Sequence, residues 1–215
     1  MTYGLVIFDC DGVLVESETI SNLELAAYLT ELGHPTTYED SIRDYMGGAM
    51  HRVHETVLAR SGQALPANFD DAFHARVFAA FERELRAVEG VTTVLDAISR
   101  SGVATCVASS GSHERIRFVL KKTGLYERFG EHRLFSSDDV GRGKPAPDLF
   151  LHAAASLGFE PPQCAVVEDS PLGIAAAIAA EMAVFGFAAM TPPEKLAGAT
   201  AMFERMDQLL PLLFA

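Results

Sequence analysis

GLVIFDCDGV, residues 4–13, is the most informative passage of the sequence. Residues 4–8 are apolar throughout, which is typical of a parallel strand buried on both faces. Asp9 and Asp11 follow at once, at the carboxyl end of this strand, where parallel sheets collect their functional groups. Two aspartates in this position also fit an ordinary turn or helix cap, so their interpretation depends on the rest of the chain.

The rest of the chain alternates short β-branched runs with helical patterns. This alternation predicts an α/β fold, a parallel sheet covered by helices. Further strands are expected at residues 103–108, 133–136, 164–168 and 182–187, with helices at residues 91–101, 113–123, 147–157 and 171–180.

The alternation fails between residues 16 and 85, where only helical patterns occur, around residues 21–32, 50–60 and 68–85. The simplest explanation is a small all-helical domain inserted after the first strand, with residues 1–15 and 86–215 forming the α/β core. The insert contains five arginines, no lysine and 12 acidic residues, a formal charge of −7.

The composition restricts the possible partners. With 17 basic and 29 acidic residues the formal charge is −12, which repels nucleic acid and anionic membranes. Asp9 and Asp11, directly after the first apolar stretch, argue against a signal peptide. Glu181 interrupts the most apolar later stretch, which is therefore too short for a membrane helix. We therefore expect a soluble cytoplasmic globule. Three scattered cysteines, at positions 10, 106 and 164, indicate buried reduced thiols.

Chemically specific side chains follow other predicted strands too. Ser109 and Ser110 follow the second strand, Lys144 lies in a Gly/Pro loop, and Glu168 and Asp169 end the fourth strand. Each has an ordinary explanation, such as a helix cap or a solvated lysine. Together, several carboxylates on one edge of a sheet require a cation to offset them, which favours a hard divalent ion held by oxygen ligands.

In this order, these motifs resemble the haloacid dehalogenase superfamily of aspartate-nucleophile phosphatases, in the subgroup with a small helical cap. The resemblance covers nearly the whole chain and rests on residues 9–14, Ser109, Lys144 with Pro145, and residues 168–169. It implies a Rossmann-like core with the Asp9 strand in the centre, and a helical cap at residues 16–85 that closes over the site.

The resemblance also implies a role for each motif residue. Asp9 would attack phosphorus to form an aspartyl phosphate, and Asp11 would be the general acid and base. Asp9, the carbonyl of Asp11, Glu168 and Asp169 are the implied Mg²⁺ ligands, with Glu168 in direct or indirect contact. The residues implied to bind the phosphate are Ser109, Ser110 and Lys144.

Asp11 also favours phosphate chemistry over halide displacement, because the dehalogenases of this family lack an acid at that position. The alternative function is that of a β-phosphoglucomutase-like phosphosugar mutase. Mutases of this kind have a cap arginine and a first-helix histidine, which align near Met50 and Ser21, and a polar pair where this chain has Gly111 and His113. The phosphatase is therefore favoured.

The cap and residues 84–90 look similar to phosphatases acting on sugar phosphates or sugar-acid phosphates such as 6-phosphogluconate. Arg43 and Arg52 are the cap cations expected at the far end of such a substrate, unless they are ordinary surface arginines. Residues 47–48 are a candidate loop that approaches it closely. His51 and His54 lack a third ligand for zinc. We expect a small phosphorylated metabolite as partner and a monomer or weak homo-oligomer.

Overall fold

The computed structural model describes residues 3–46 and 50–214. The chain divides into two compact units. One unit ends at Glu16 and resumes at Arg86, and the other spans Ser17–Leu85. The expected loop at residues 47–48 lies outside the described residues.

The first unit contains a parallel sheet of six strands among its described residues, in the order β3-β2-β1-β4-β5-β6. The strands are β1 (Leu5–Phe8), β2 (Ala104–Ser109), β3 (Leu134–Ser136), β4 (Cys164–Glu168), β5 (Ala183–Phe187) and β6 (Ala201–Phe203). The predicted α/β fold is confirmed, and its strand order is that of a Rossmann-like sheet. Sequence patterning predicts five strands and misses β6, an edge strand whose apolar run is only three residues long and whose Met202 is exposed.

Helices connect the strands of this unit and make up the other unit. In chain order the α-helices are α1 (Ser17–Glu31), α2 (Tyr38–Tyr45), α3 (Met50–Ser61), α4 (Phe69–Glu84), α5 (Val91–Arg100), α6 (His113–Lys122), α7 (Tyr126–Phe129), α8 (Asp148–Ser156), α9 (Pro171–Ala179) and α10 (Leu209–Leu213). The helices predicted after β1, β2, β3 and β4 agree with α5, α6, α8 and α9 to within a residue or two.

The core of the sheet explains the apolar strands. Leu5 and Ile7 of β1 pack in one buried cluster with residues of α8 and α9, while Val6 and Phe8, which alternate with them along the strand, are also buried. A strand buried on both faces needs apolar residues at every position. The three cysteines are buried and free, as expected, and burial raises the pKa of the Cys106 thiol.

The helical unit contains α1 to α4 and no strand among its described residues. Helix α2 is missing from the sequence prediction because its hydrophobic pattern is short. Its start has a usable signal, since the Thr37 hydroxyl accepts a hydrogen bond from the Asp40 amide and the Asp40 carboxylate accepts one from the Thr37 amide. Across the described part of the chain, none of the helices has the length and apolar character needed to cross a bilayer.

Candidate active site

The site begins at the carboxyl end of the central strand. Phe8 pairs with Val107 of β2 and with Val167 of β4, and the Asp9 amide donates to the Val167 carbonyl at 3.0 Å. This register brings Asp9 beside Glu168, the last residue of β4. The strand order reverses between β1 and β4, which is where ligands bind in open α/β sheets.

Lys144 joins these two carboxylates. Its ammonium donates to Asp9 Oδ1 at 2.5 Å, to Glu168 Oε1 at 2.6 Å and to the Ala108 carbonyl at 3.1 Å. The Lys144 side chain is 4% exposed, and Glu168 is fully buried. A lysine in a Gly/Pro loop is normally solvated, so its burial is explained by the two acids that it neutralises.

Burial also sets the protonation balance of the group. Desolvation raises the pKa of Asp9 to about 7, although Lys144 acts in the opposite direction. Burial alone would lower the pKa of Lys144, but the attraction of Asp9 and Glu168 outweighs it and the pKa lies above its ordinary value. The site therefore has more negative charge than one lysine can offset.

A third carboxylate completes a candidate metal site. Oxygen atoms of Asp9, Glu168 and Asp169 all lie within 4.8 Å of one another. Both Glu168 oxygens already accept protein hydrogen bonds, Oε1 from Lys144 and Oε2 from the amide and hydroxyl of Ser170. An oxygen-only cluster with excess negative charge fits a hard divalent cation such as Mg²⁺, with Asp9 and Asp169 the more accessible ligands.

Two glycines let the backbone approach this cluster. Gly12 has a φ of 78°, and a Cβ atom there would lie 2.0 Å from Asp169 Oδ2. Gly173, in the first turn of α9, leaves room for the buried acid, because a Cβ there would lie 1.8 Å from Glu168 Oε1. The Gly173 amide donates to the Ser170 hydroxyl, the N-cap of α9.

Replacing Gly173 with alanine tests this packing. Alanine in a helix is ordinarily more stable than glycine by about 0.5–1 kcal/mol. Here we expect the opposite sign, a loss of about 1–3 kcal/mol in the free energy of unfolding, because the Glu168 carboxylate must move. Gly141→Ala is the control, since a Cβ there has open space and φ is not positive. Urea unfolding of both variants measures the difference, and equal stability would contradict the assignment.

The loop after β2 is held in place by hydrogen bonds. The Ser109 hydroxyl, at the buried end of the strand, accepts from the Gly111 amide at 3.0 Å. Ser136 and Ser137 donate from their hydroxyls to the carbonyls of Gly111 and Ser110, each at 2.7 Å. Sequence reasoning misses these two serines, although Ser136 ends β3 and Ser137 follows it at the same edge of the sheet.

Asp11 is held by an arginine that sequence reasoning also misses. Arg115 donates from Nη2 to Asp11 Oδ1 at 2.8 Å and from Nε to Oδ2 at 3.2 Å. The only sequence signal is its position, in the first turn of the helix that follows the Ser109 loop. The predicted residues Asp9, Lys144, Glu168 and Asp169 are thus brought together. At the same edge of the sheet, Asp11 lies in the loop after β1 and Ser109 ends β2.

The helical unit holds the predicted cap residues. Arg43 forms ion pairs with Asp40 and Asp44, and Arg52 is exposed on α3. His54 contacts Asp70 at 2.7 Å. A cavity of about 160 Å³ within this unit has mixed polar and apolar walls that include neither arginine. Its lining includes Glu18, Ser21, Asn22, Tyr45 and Phe73.

Comparison with known proteins agrees with this geometry. The family model described as haloacid dehalogenase-like hydrolase matches residues 3–181. The 6-phosphogluconate phosphatase of Escherichia coli strain K12 is 32% identical over 185 residues, which cover 86% of this chain and 82% of that protein.

Two solved structures are similar over nearly the whole chain. A haloacid dehalogenase-like protein of unknown function from Agrobacterium tumefaciens has a TM-score of 0.90 and 34% identity, covering 99% of this chain and 98% of the other. A hydrolase of the haloacid dehalogenase family from Deinococcus radiodurans, with bound phosphate and sodium, has a TM-score of 0.85 and 31% identity, covering 98% of this chain and 95% of the other. The chain therefore belongs to the haloacid dehalogenase-like hydrolase family and is a phosphoric monoester hydrolase.

Proposed function

We propose that this protein is a Mg²⁺-dependent phosphatase of small phosphorylated metabolites, a sugar phosphate or a sugar-acid phosphate such as 6-phosphogluconate. The observation that carries the proposal is the Asp9 carboxylate, which lies at the switch point of the sheet between buried Lys144 and the acids Glu168 and Asp169. The E. coli relative named for 6-phosphogluconate supports the substrate class.

The reaction would take place in two steps at Asp9. In the first, a carboxylate oxygen of Asp9 attacks phosphorus, the bond from phosphorus to the alcohol oxygen breaks, and Asp11 gives that oxygen a proton. In the second, a water oxygen attacks phosphorus while Asp11 takes its proton. The bond from phosphorus to Asp9 then breaks and inorganic phosphate leaves.

The other residues would bind and orient the phosphate. Lys144 holds one oxygen of Asp9, and Ser109 with the amide of Ser110 would donate to phosphate oxygens. Asp9, Asp169 and the Asp11 carbonyl would hold the metal, with Glu168 beside them. When bound, the cation offsets the charge of the phosphate and of the carboxylates.

The helical unit would act as a cap that excludes water during the reaction, as the sequence resemblance implies. Arg52, exposed on α3, remains the proposed contact for the far end of an anionic substrate. Arg52→Ala should then raise KM for 6-phosphogluconate more than for p-nitrophenyl phosphate. Equal KM effects on the two substrates would exclude this role. Cytoplasmic location and a monomeric or weakly associated state stay predictions.

A mutase remains the alternative function, and it needs a site for a second phosphate. Gly111 replaces one polar residue of that site, and His113 contacts Asp139 at 2.8 Å. Product analysis separates the two activities. A phosphatase releases inorganic phosphate, whereas a mutase converts glucose 1-phosphate into glucose 6-phosphate in the presence of the bisphosphate, with little free phosphate.

Metal removal is the direct test of the proposed function. EDTA should lower phosphate release from p-nitrophenyl phosphate and from sugar phosphates by about 100-fold or more, because a catalytic cation supplies several kcal/mol. Added MgCl₂ should restore the activity. Without substrate, MgCl₂ should also raise the Tm of the wild type and of the exposed-site control Asp138→Asn, but not of Asp169→Asn. Full activity in EDTA would contradict the proposal.

A further inference from the structure

The pairing of Asp11 with Arg115 has no role in the two steps described above. The guanidinium meets both carboxylate oxygens in a fork, at 2.8 and 3.2 Å. The two side chains are 21% and 22% exposed, so most of each is shielded from water. A two-bond contact of this kind fixes the orientation of a carboxylate far better than a single hydrogen bond does.

Gly111 makes room for the arginine. A Cβ atom at Gly111 would lie 3.0 Å from Cδ of Arg115, closer than side chains normally pack. The φ angle of Gly111 is not positive, so the backbone does not require glycine at this position. The glycine is explained by the methylene chain of Arg115, which passes close to Gly111 and leads to the guanidinium at Asp11.

The backbone of Arg115 is also held in place. The Arg115 amide donates to the Ser112 hydroxyl, the N-cap of α6, at 3.3 Å. Ser136 and Ser137 hold the neighbouring loop in place by donating hydrogen bonds from their hydroxyls to the carbonyls of Gly111 and Ser110. Arg115 thus reaches Asp11 from a helix start and a loop that are both anchored by hydrogen bonds.

We propose that Arg115 is a positioning residue, which holds the Asp11 carboxylate where it exchanges protons with the leaving alcohol and with the attacking water. The proposal rests on the proposed function, because it assumes the two steps at Asp9. A displacement of a reacting group by about 1 Å can cost about 100-fold in rate. Loss of the arginine should therefore slow the steps that need Asp11 and spare those that do not.

Burst kinetics with p-nitrophenyl phosphate separate these steps. p-Nitrophenolate leaves without a proton, so Arg115→Met should still form the phosphoenzyme quickly. Water attack needs Asp11, so kcat should fall by about 10- to 100-fold. KM should fall with it, because kcat/KM reports only the first step, which is spared. Rapid mixing should show one equivalent of p-nitrophenol per enzyme before the slow phase, and an acid quench should trap phosphoaspartate. Asp11→Asn should show the same burst of one equivalent, followed by an even slower steady phase.

Two further variants complete the experiment. Arg115→Lys should recover part of the rate, because lysine keeps the charge but lacks the two-donor fork. Arg115→Lys should also show the burst, so it can replace Arg115→Met in the experiment if Arg115→Met does not fold. Arg117→Met is the matched control, because Arg117 lies on the same helix and pairs with Glu131 instead. It should behave as the wild type.

Other outcomes would overturn the inference. A raised KM without a burst in Arg115→Met would mean that Arg115 binds the substrate phosphate directly. Wild-type kinetics in Arg115→Met would mean that the contact has no part in the reaction. Failure of the proposed function has a different signature, since Asp9→Asn would then keep its activity whatever Arg115 does.

Discussion

Asp9→Asn is expected to lower phosphate release by about 10⁴-fold or more, the loss found when an enzyme loses its nucleophile. An amide oxygen does not attack phosphorus, while its shape matches the carboxylate. The oxygen of the introduced amide can still accept the hydrogen bond from Lys144, whose ammonium lies 2.5 Å from Asp9 in the wild type. The chemical step should therefore be lost while the site keeps its form.

Stability distinguishes this loss from unfolding. Asp9 is buried, and desolvation raises its pKa to about 7, so its charge is disfavoured in the fold. A neutral residue of the same shape relieves that cost, and the Tm of Asp9→Asn should equal or exceed that of the wild type. Substrate with MgCl₂ should raise the Tm of the variant further, because binding persists without turnover.

The matched control is Asp138→Asn, which makes the same chemical change at an exposed position after β3. It should keep wild-type activity. Phosphate release by Asp9→Asn within tenfold of the wild type would exclude Asp9 as the nucleophile. So would phosphoaspartate recovered from the variant, since the covalent bond would then lie elsewhere.

Much of the fold could be predicted from the sequence because its signals are local. The strands β1 and β4 are apolar runs that lead directly into acids, Asp9 after β1 and Glu168 at the end of β4. Parallel strands present such acids at one edge of the sheet. Two elements gave weaker signals. Helix α2 is only eight residues long, and β6 is a short edge strand with an exposed Met202.

The site could be predicted only in part, for a related reason. Asp9, Lys144 and Glu168 have side chains whose chemistry is informative wherever they occur. The supporting residues are ordinary in sequence and acquire their role from the fold. Arg115 is separated from Asp11 by 104 residues, and Ser136 from Gly111 by 25, so no local pattern links them.

Lys144→Met is expected to have the second largest effect, on both activity and stability. The lysine bridges Asp9 and Glu168, at 2.5 and 2.6 Å, in a site where its side chain is 4% exposed. Removing it leaves two buried carboxylates without their partner, which costs about 3–5 kcal/mol. Loss of a charge that stabilises the transferring phosphate should lower kcat by about 100- to 1000-fold.

The cause of the instability can be tested by restoring the charge balance. Glu168→Gln in the Lys144→Met background removes one of the two unpaired charges and should recover part of the free energy of unfolding, whereas the losses of the two single variants would add if the residues were independent. MgCl₂ should stabilise Lys144→Met more than the wild type, because a cation near Asp9 replaces some of the missing charge. Lys195→Met is the control, since Lys195 is exposed and its replacement should leave the free energy of unfolding unchanged. Urea unfolding in EDTA and in MgCl₂ measures the wild type and these variants, and additive losses with no extra stabilisation by metal would show that Lys144 acts through packing alone.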